Sequence, residues 1–198
     1  MSPLNEEQLQ QIRDERREQI IEAALKVFAR RGIIGTKMSM IATEAGISHG
    51  LLYHYFKSKD ELFTTLVQLA MQESIAGIGN VYHLPGSPIE KIRTLTELIL
   101  DKDGQLYFML IHQARTSDEV PEKAKQLIEQ YSIKKYADLL EPLFIDGQNA
   151  GEFSAGNPRK LISCYLSVLS GLMTLNIHGD EDYQMPDIDI LLRIITGP

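Results

Sequence analysis

The chain has 198 residues, enough for one large domain or two small ones around a substantial core. With 43% hydrophobic and 24% charged residues it has the make-up of an ordinary soluble globular protein, and no apolar run approaches the roughly 18 to 20 residues of a membrane-spanning helix. The single cysteine, Cys164, excludes an internal disulfide and a zinc site of several cysteines, and a net charge of −7 does not by itself suggest a nucleic-acid partner.

The first eight residues are polar and acidic, unlike a secretory signal, so a cytoplasmic location is expected. The charge is unevenly spread. Residues 23 to 59 contain Lys26, Arg30, Arg31, Lys37, Lys57 and Lys59 against one acid, Glu44, for a local charge of +5. From residue 61 onward 11 basic side chains face 19 acidic ones. A basic head on an acidic body suits a protein that meets phosphate with one end only, although such clustering also arises by chance on a solvated face.

The chain reads as helical throughout. Ile21, Ala24, Leu25 and Phe28 form the apolar stripe of a first helix over about 10–31, with Gly32 just past its end. Two short helices broken at Gly46 follow between Thr36 and Phe56. Ser58 and Glu61 form a capping box that opens a helix over about 59–79, ending near Gly77 and Gly79. Ser87, Pro88 and Glu90 open another, over about 88–101. Further helices are expected over about 105–117, 122–149 with a kink at Pro142, 158–177 behind Asn157, and 187–196.

The segment 36–56 carries the chemistry. Ile41, Ala45, Ile47, Leu52 and Phe56 are expected to be buried between helices, and Ala42 is small enough to let them cross closely. Gly46 supplies the turn and Ser48 caps the second helix. That leaves His49, Gly50, Tyr53 and His54 pointing outward, as in a helix-turn-helix reader of the DNA major groove. The histidines can bond base edges, and close approach of the backbone to DNA would offset the helix-weakening cost of Gly50. Tyr53, Tyr55, Lys59, Thr36 and Lys37 can reach phosphate oxygens. Gly-broken pairs of short helices also occur in proteins that bind no DNA.

The register of these residues decides between the two. Ala24, Phe28, Gly32, Thr36, Ile41-Ala42, Ala45-Gly46-Ile47-Ser48, Gly50, Tyr53, Tyr55-Phe56, Lys59 and Leu62 together resemble the signature of the TetR family of transcriptional repressors, without a gap over about residues 13–63. The family often has histidine where this chain has Tyr55, whose phenol can still donate to a phosphate. Beyond the head the resemblance is in outline only: Gly147-Gln148, Gly151-Glu152-Phe153, Asn157-Pro158, then an apolar helix with Gly171.

The resemblance implies an all-α fold of about nine helices, with a three-helix DNA-binding domain at 1–57 and a ligand-binding and dimerisation domain at 58–198. It implies a homodimer paired through the last two helices, here through Leu161, Tyr165, Val168, Leu169, Leu172, Ile190 and Ile194. A central core helix in a monomer would show the same apolar pattern. It also implies a cavity for a small-molecule effector, for which Met71, Phe108, His112, Tyr131 and Tyr165 are the candidate lining residues. The stretch 106–111 is apolar on all faces and is expected to be buried.

No cofactor, metal site or catalytic residue is expected. Asp101, Asp103 and Gly104 fall at the wrong spacing for a calcium loop, and His83, His112 and His178 have no partners at ligand spacing. The run Asp180-Glu181-Asp182 reads as solvated. There is no phosphate-binding loop and no nucleophile elbow. The expected function is a ligand-responsive repressor that binds a palindromic DNA operator as a dimer. The alternative is a structural DNA-associated or protein-interaction module on the same fold, without a small-molecule switch.

Overall fold

The computed structural model describes residues 5–177 and 184–197; His178 and the run Asp180-Glu181-Asp182 lie outside the described residues. Every regular element among the described residues is helical: α1 (Glu6–Gly35), α2 (Met38–Glu44), α3 (His49–Tyr55), α4 (Lys59–Asn80), α5 (Pro88–Leu100), α6 (Lys102–Thr116), α7 (Glu122–Glu129), α8 (Ile133–Asn149), α9 (Pro158–Ile177) and α10 (Ile188–Thr196). A 3-10 turn at Val81–His83 follows α4.

Helix ends follow their caps. α1 starts four residues before its expected beginning because Asn5 and Gln8 bond each other's backbone amides in a capping box. It kinks at Gly32, whose φ of 66° is non-helical, and runs one further turn. α4 continues through Gly77 and Gly79 because packing carries it on, Ile78 and Val81 being buried. α6 begins at Lys102, with Asp101 accepting the Gly104 amide at 2.6 Å, so that acidic stretch is a helix cap. The segment 122–149 is two helices rather than one kinked helix. The break falls where extended Ser132 starts α8, and Pro142 sits inside α8 on its exposed side.

Packing divides the chain into two compact units: Met1–Leu69 with Leu110–Leu127, and Ala70–Met109 with Ile128–Pro198. The first is built on Ile20, Ala24 and Phe28 of α1, Ile41 of α2, Leu52 of α3, and Leu62, Phe63 and Leu66 of α4, all 0–1% exposed. Phe28 and Phe63 meet edge to face at 5.1 Å. The carboxyl-terminal part of α6 belongs to this unit: Gln113 donates to the Ala29 carbonyl at 2.7 Å. Of the apolar stretch 106–111 only Leu110 is fully buried; the others are half-buried.

The second unit packs α5, α8, α9 and α10 around Ile92, Leu140, Phe144, Ile162, Tyr165 and Ile195. Its hinge-pin is the turn after α8. Gly147 lies under the Phe153 ring, where an added Cβ would come within 2.2 Å of the ring. Glu152 accepts the Ile89 amide at 2.8 Å, satisfying a free donor in the first turn of α5. This explains the spacing of Gly147, Gly151, Glu152 and Phe153. One glycine admits a ring, one closes the helix with the Glu152 amide bonded back to the Gly147 carbonyl at 2.9 Å, and the glutamate caps a neighbouring helix. Gly147→Ala should therefore overpack the site and cost about 1–3 kcal/mol of stability, read as a lower urea midpoint at unchanged slope; an unchanged midpoint would contradict this packing.

Candidate nucleic-acid interface

The turn between α2 and α3 is fixed by backbone chemistry. Ala45 closes α2, Gly46 takes a φ of 63°, the Gly46 amide bonds the Thr43 carbonyl at 3.1 Å and the Ile47 amide bonds the Ala42 carbonyl at 3.0 Å. This is the paired 5→2 and 6→1 bonding of a Schellman cap, which requires the left-handed residue that glycine supplies. Ser48 then starts α3, its hydroxyl accepting the Leu51 amide at 3.2 Å. From α1, Gln19 donates to the Ala45 carbonyl at 2.7 Å and ties the turn to the first helix.

The roll of α3 follows from burial. Leu52 is fully buried and Phe56 is 2% exposed, and Ile41, Ala42 and Ala45 are buried as expected while Ile47 is half-buried. His49, Gly50, Tyr53 and His54 are exposed and Tyr55 is half-buried. The His49 and Tyr53 rings meet edge to face at 4.9 Å, and His54 and Tyr55 at 5.6 Å. A Cβ added at Gly50 would meet no atom within 4 Å, so nothing inside the chain calls for glycine there.

The other expected contact residues divide. Lys37 is exposed. Thr36 is only 1% exposed, and its hydroxyl donates to the Gly32 carbonyl at 2.6 Å, locking the kink of α1. The Lys59 ammonium donates to the Ile33 carbonyl at 2.7 Å, which holds its charge at the end of α1 with two protons still to donate. Ser48 spends its oxygen on the cap. Thr36, Ser48 and Lys59 thus set the shape of the head, while His49, Gly50, Tyr53 and His54 form its open face.

Two further residues of this face are not marked by the sequence pattern. Arg17 lies over the Phe56 ring at 5.5 Å, a cation beside the end of α3. Its signal was an arginine one turn ahead of the Ile20–Ile21 stripe. Leu51 is 37% exposed, a large apolar side chain on α3 that the core does not use.

Four of the five expected effector-lining residues belong to one unit. His112 belongs to the first; Met71, Phe108, Tyr131 and Tyr165 belong to the second. Met71 and Tyr165 are buried and the others half-buried. The Tyr165 hydroxyl bonds Thr96 at 2.7 Å, and burial pushes its pKa up to about 12. Thr96 in turn donates to the Ile92 carbonyl at 2.7 Å, so the tyrosine is the donor in this chain. Two open clefts of about 460 and 490 Å³ lie against α1 in the first unit and contain none of the five. Among the expected pairing residues, Tyr165, Leu169 and Leu172 are buried within their own chain, Leu161, Val168 and Ile194 are half-buried, and Ile190 is 55% exposed.

A Gly-capped turn, a short helix rolled by one buried leucine and a basic surround have the geometry of a helix-turn-helix unit. Residues 20–66 match the model for bacterial regulatory proteins of the tetR family. The fatty acid metabolism regulator protein of Bacillus subtilis is 24% identical over 186 residues, covering 90% of this chain and 93% of that one. A TetR-family transcriptional regulator from Agrobacterium tumefaciens superposes with a TM-score of 0.69 at 20% identity, over 91% of this chain and 94% of that one. The fatty acid degradation regulator FadR of Bacillus halodurans gives a TM-score of 0.62 at 25% identity, over 90% of this chain and 91% of that one. Residues 20–66 thus carry the amino-terminal domain of the TetR family of transcriptional regulators, and the chain resembles regulators of that family over nine-tenths of its length. No helix among the described residues is long and apolar enough to cross a membrane.

Proposed function

We propose that the protein is a ligand-responsive repressor that binds a two-fold symmetric operator as a dimer and inserts the outward face of α3 into the major groove. The observation that carries this reading is Gly50. Glycine weakens a helix by up to about 1 kcal/mol relative to alanine, and no neighbouring atom within 4 Å explains its presence. A partner that comes against the helix backbone explains it. Operator affinity of about 10⁻⁸ to 10⁻¹¹ M is expected, falling steeply with salt.

Gly50→Ala should leave the protein as stable as the wild type or more so, and weaken binding to an operator selected from random duplex DNA by tenfold or more. Thermal melting and fluorescence anisotropy read the two effects. An alanine variant that binds like the wild type sinks the assignment of this face. Tyr53→Ala, at an exposed position, should weaken binding likewise without lowering the melting temperature.

Pairing is proposed through α9 and α10. Cys164, Ser167 and Gly171 form an exposed strip of small residues on α9, beside half-buried Val168 and 55%-exposed Leu175. Small side chains let two helices approach closely, and exposed Leu175 and Ile190 gain by being covered. Light scattering should give about twice 22.4 kDa. Ile190→Arg, which does not touch the core, should halve that mass while far-ultraviolet circular dichroism stays unchanged. A wild type of 22.4 kDa would end the dimer reading.

The switch is proposed as a two-state shift in which an effector favours the form with mis-spaced heads. A hundredfold loss of operator affinity needs about 2.7 kcal/mol of differential binding. Both relatives named for fatty acid metabolism or degradation make fatty acids the first effectors to try. A fatty acid that raises the melting temperature and lowers operator affinity supports the switch.

A further inference from the structure

We propose that Leu51 reads the C5-methyl group of one thymine in each half of the DNA site. The inference rests on the reading of α3 as the DNA-contacting helix. α3 runs His-Gly-Leu-Leu-Tyr-His-Tyr from residue 49 to residue 55 and contains no Arg, Lys, Asn or Gln. Those are the side chains that grip guanine or adenine edges with two hydrogen bonds. What its exposed residues offer instead is single hydrogen bonds from His49, Tyr53 and His54, and one apolar surface, Leu51.

Leu51 neighbours Gly50 and stands three residues before His54, so all three share one side of the helix, opposite buried Leu52. Its side chain lies outside the buried core. Leu52 fills the core at 0% exposure, and the bond to the Ser48 cap uses the Leu51 backbone amide. The missing side chain at Gly50 lowers the helix toward the groove floor and brings its neighbour Leu51 with it. On that floor the apolar group is the thymine methyl. A leucine seated on it removes apolar surface of both partners from water.

The test combines deletion of the methyl with deletion of the leucine. An operator is selected from random duplex DNA with the full-length protein, and each thymine in turn, with its symmetry mate, is replaced by deoxyuridine. Affinities are measured by fluorescence anisotropy for wild type and Leu51→Ala, with melting temperatures as the folding control. At one symmetric pair of positions the wild type should lose roughly fourfold in affinity per half-site, the value of one buried methyl. Leu51→Ala should show no loss at that pair while keeping every other deoxyuridine effect. Methyl sensitivity that persists in Leu51→Ala, or its absence from every position, overturns the proposal and leaves the DNA-binding reading intact. Failure to enrich any duplex overturns that reading and the proposal together.

Discussion

The burial of Leu52 is the constraint on which the head depends. A seven-residue helix is too short to hold itself in water, so α3 exists because its inward residue is packed away in the core, with α2 as its neighbouring helix. With Leu52 fully covered and Phe56 sealing the end, the helix has no freedom to roll. Every functional statement about this segment follows from that: His49, Gly50, Tyr53 and His54 are outside because Leu52 is inside. The Gly46 turn and the Gln19 bond to Ala45 fix where the helix starts, and the Ser48 cap satisfies its first turn.

The same economy shows in the second unit, where a glycine under the Phe153 ring and a glutamate capping α5 hold α8 and α5 in register. Its polar contacts are mostly local or exposed. Arg159 bonds Asp138 and Glu141, and Arg93 pairs with Asp189, all at accessible positions where such pairs contribute little. A buried exception among the described residues is the line from Tyr165 through Thr96 to the Ile92 carbonyl, which satisfies two hydroxyls inside an apolar core. Stability in this unit is therefore chiefly a matter of apolar packing, and the exposed small-residue strip of α9 stands apart from it.

Much of the head was legible because its signals are local. A glycine, a serine and an apolar register specify a turn, a cap and a roll within a dozen residues. What stayed hidden depends on distant partners. Thr36 and Lys59 look like free polar residues in sequence, yet each bonds a carbonyl at the end of α1, Gly32 and Ile33 respectively. No local pattern assigns residues 110–127 to the first unit; the Gln113 bond to Ala29 crosses 84 positions. In the body, apolar periodicity shows that α9 is covered on more than one side but does not say by what. Tyr165, Leu169 and Leu172 are covered by their own chain. The break before α8 is hidden in the sequence because Pro142 is the louder signal, although an exposed proline can remain inside a helix at the cost of one hydrogen bond.

The most direct test of the central claim is amide hydrogen exchange of the full-length protein with and without a duplex it selects from a random pool. If the outward face of α3 seats in DNA, slowed exchange should concentrate in peptides spanning residues 36–59 and leave α8 to α10 unchanged. Protection confined to the second unit, or none in 36–59 at saturating duplex, would contradict the account.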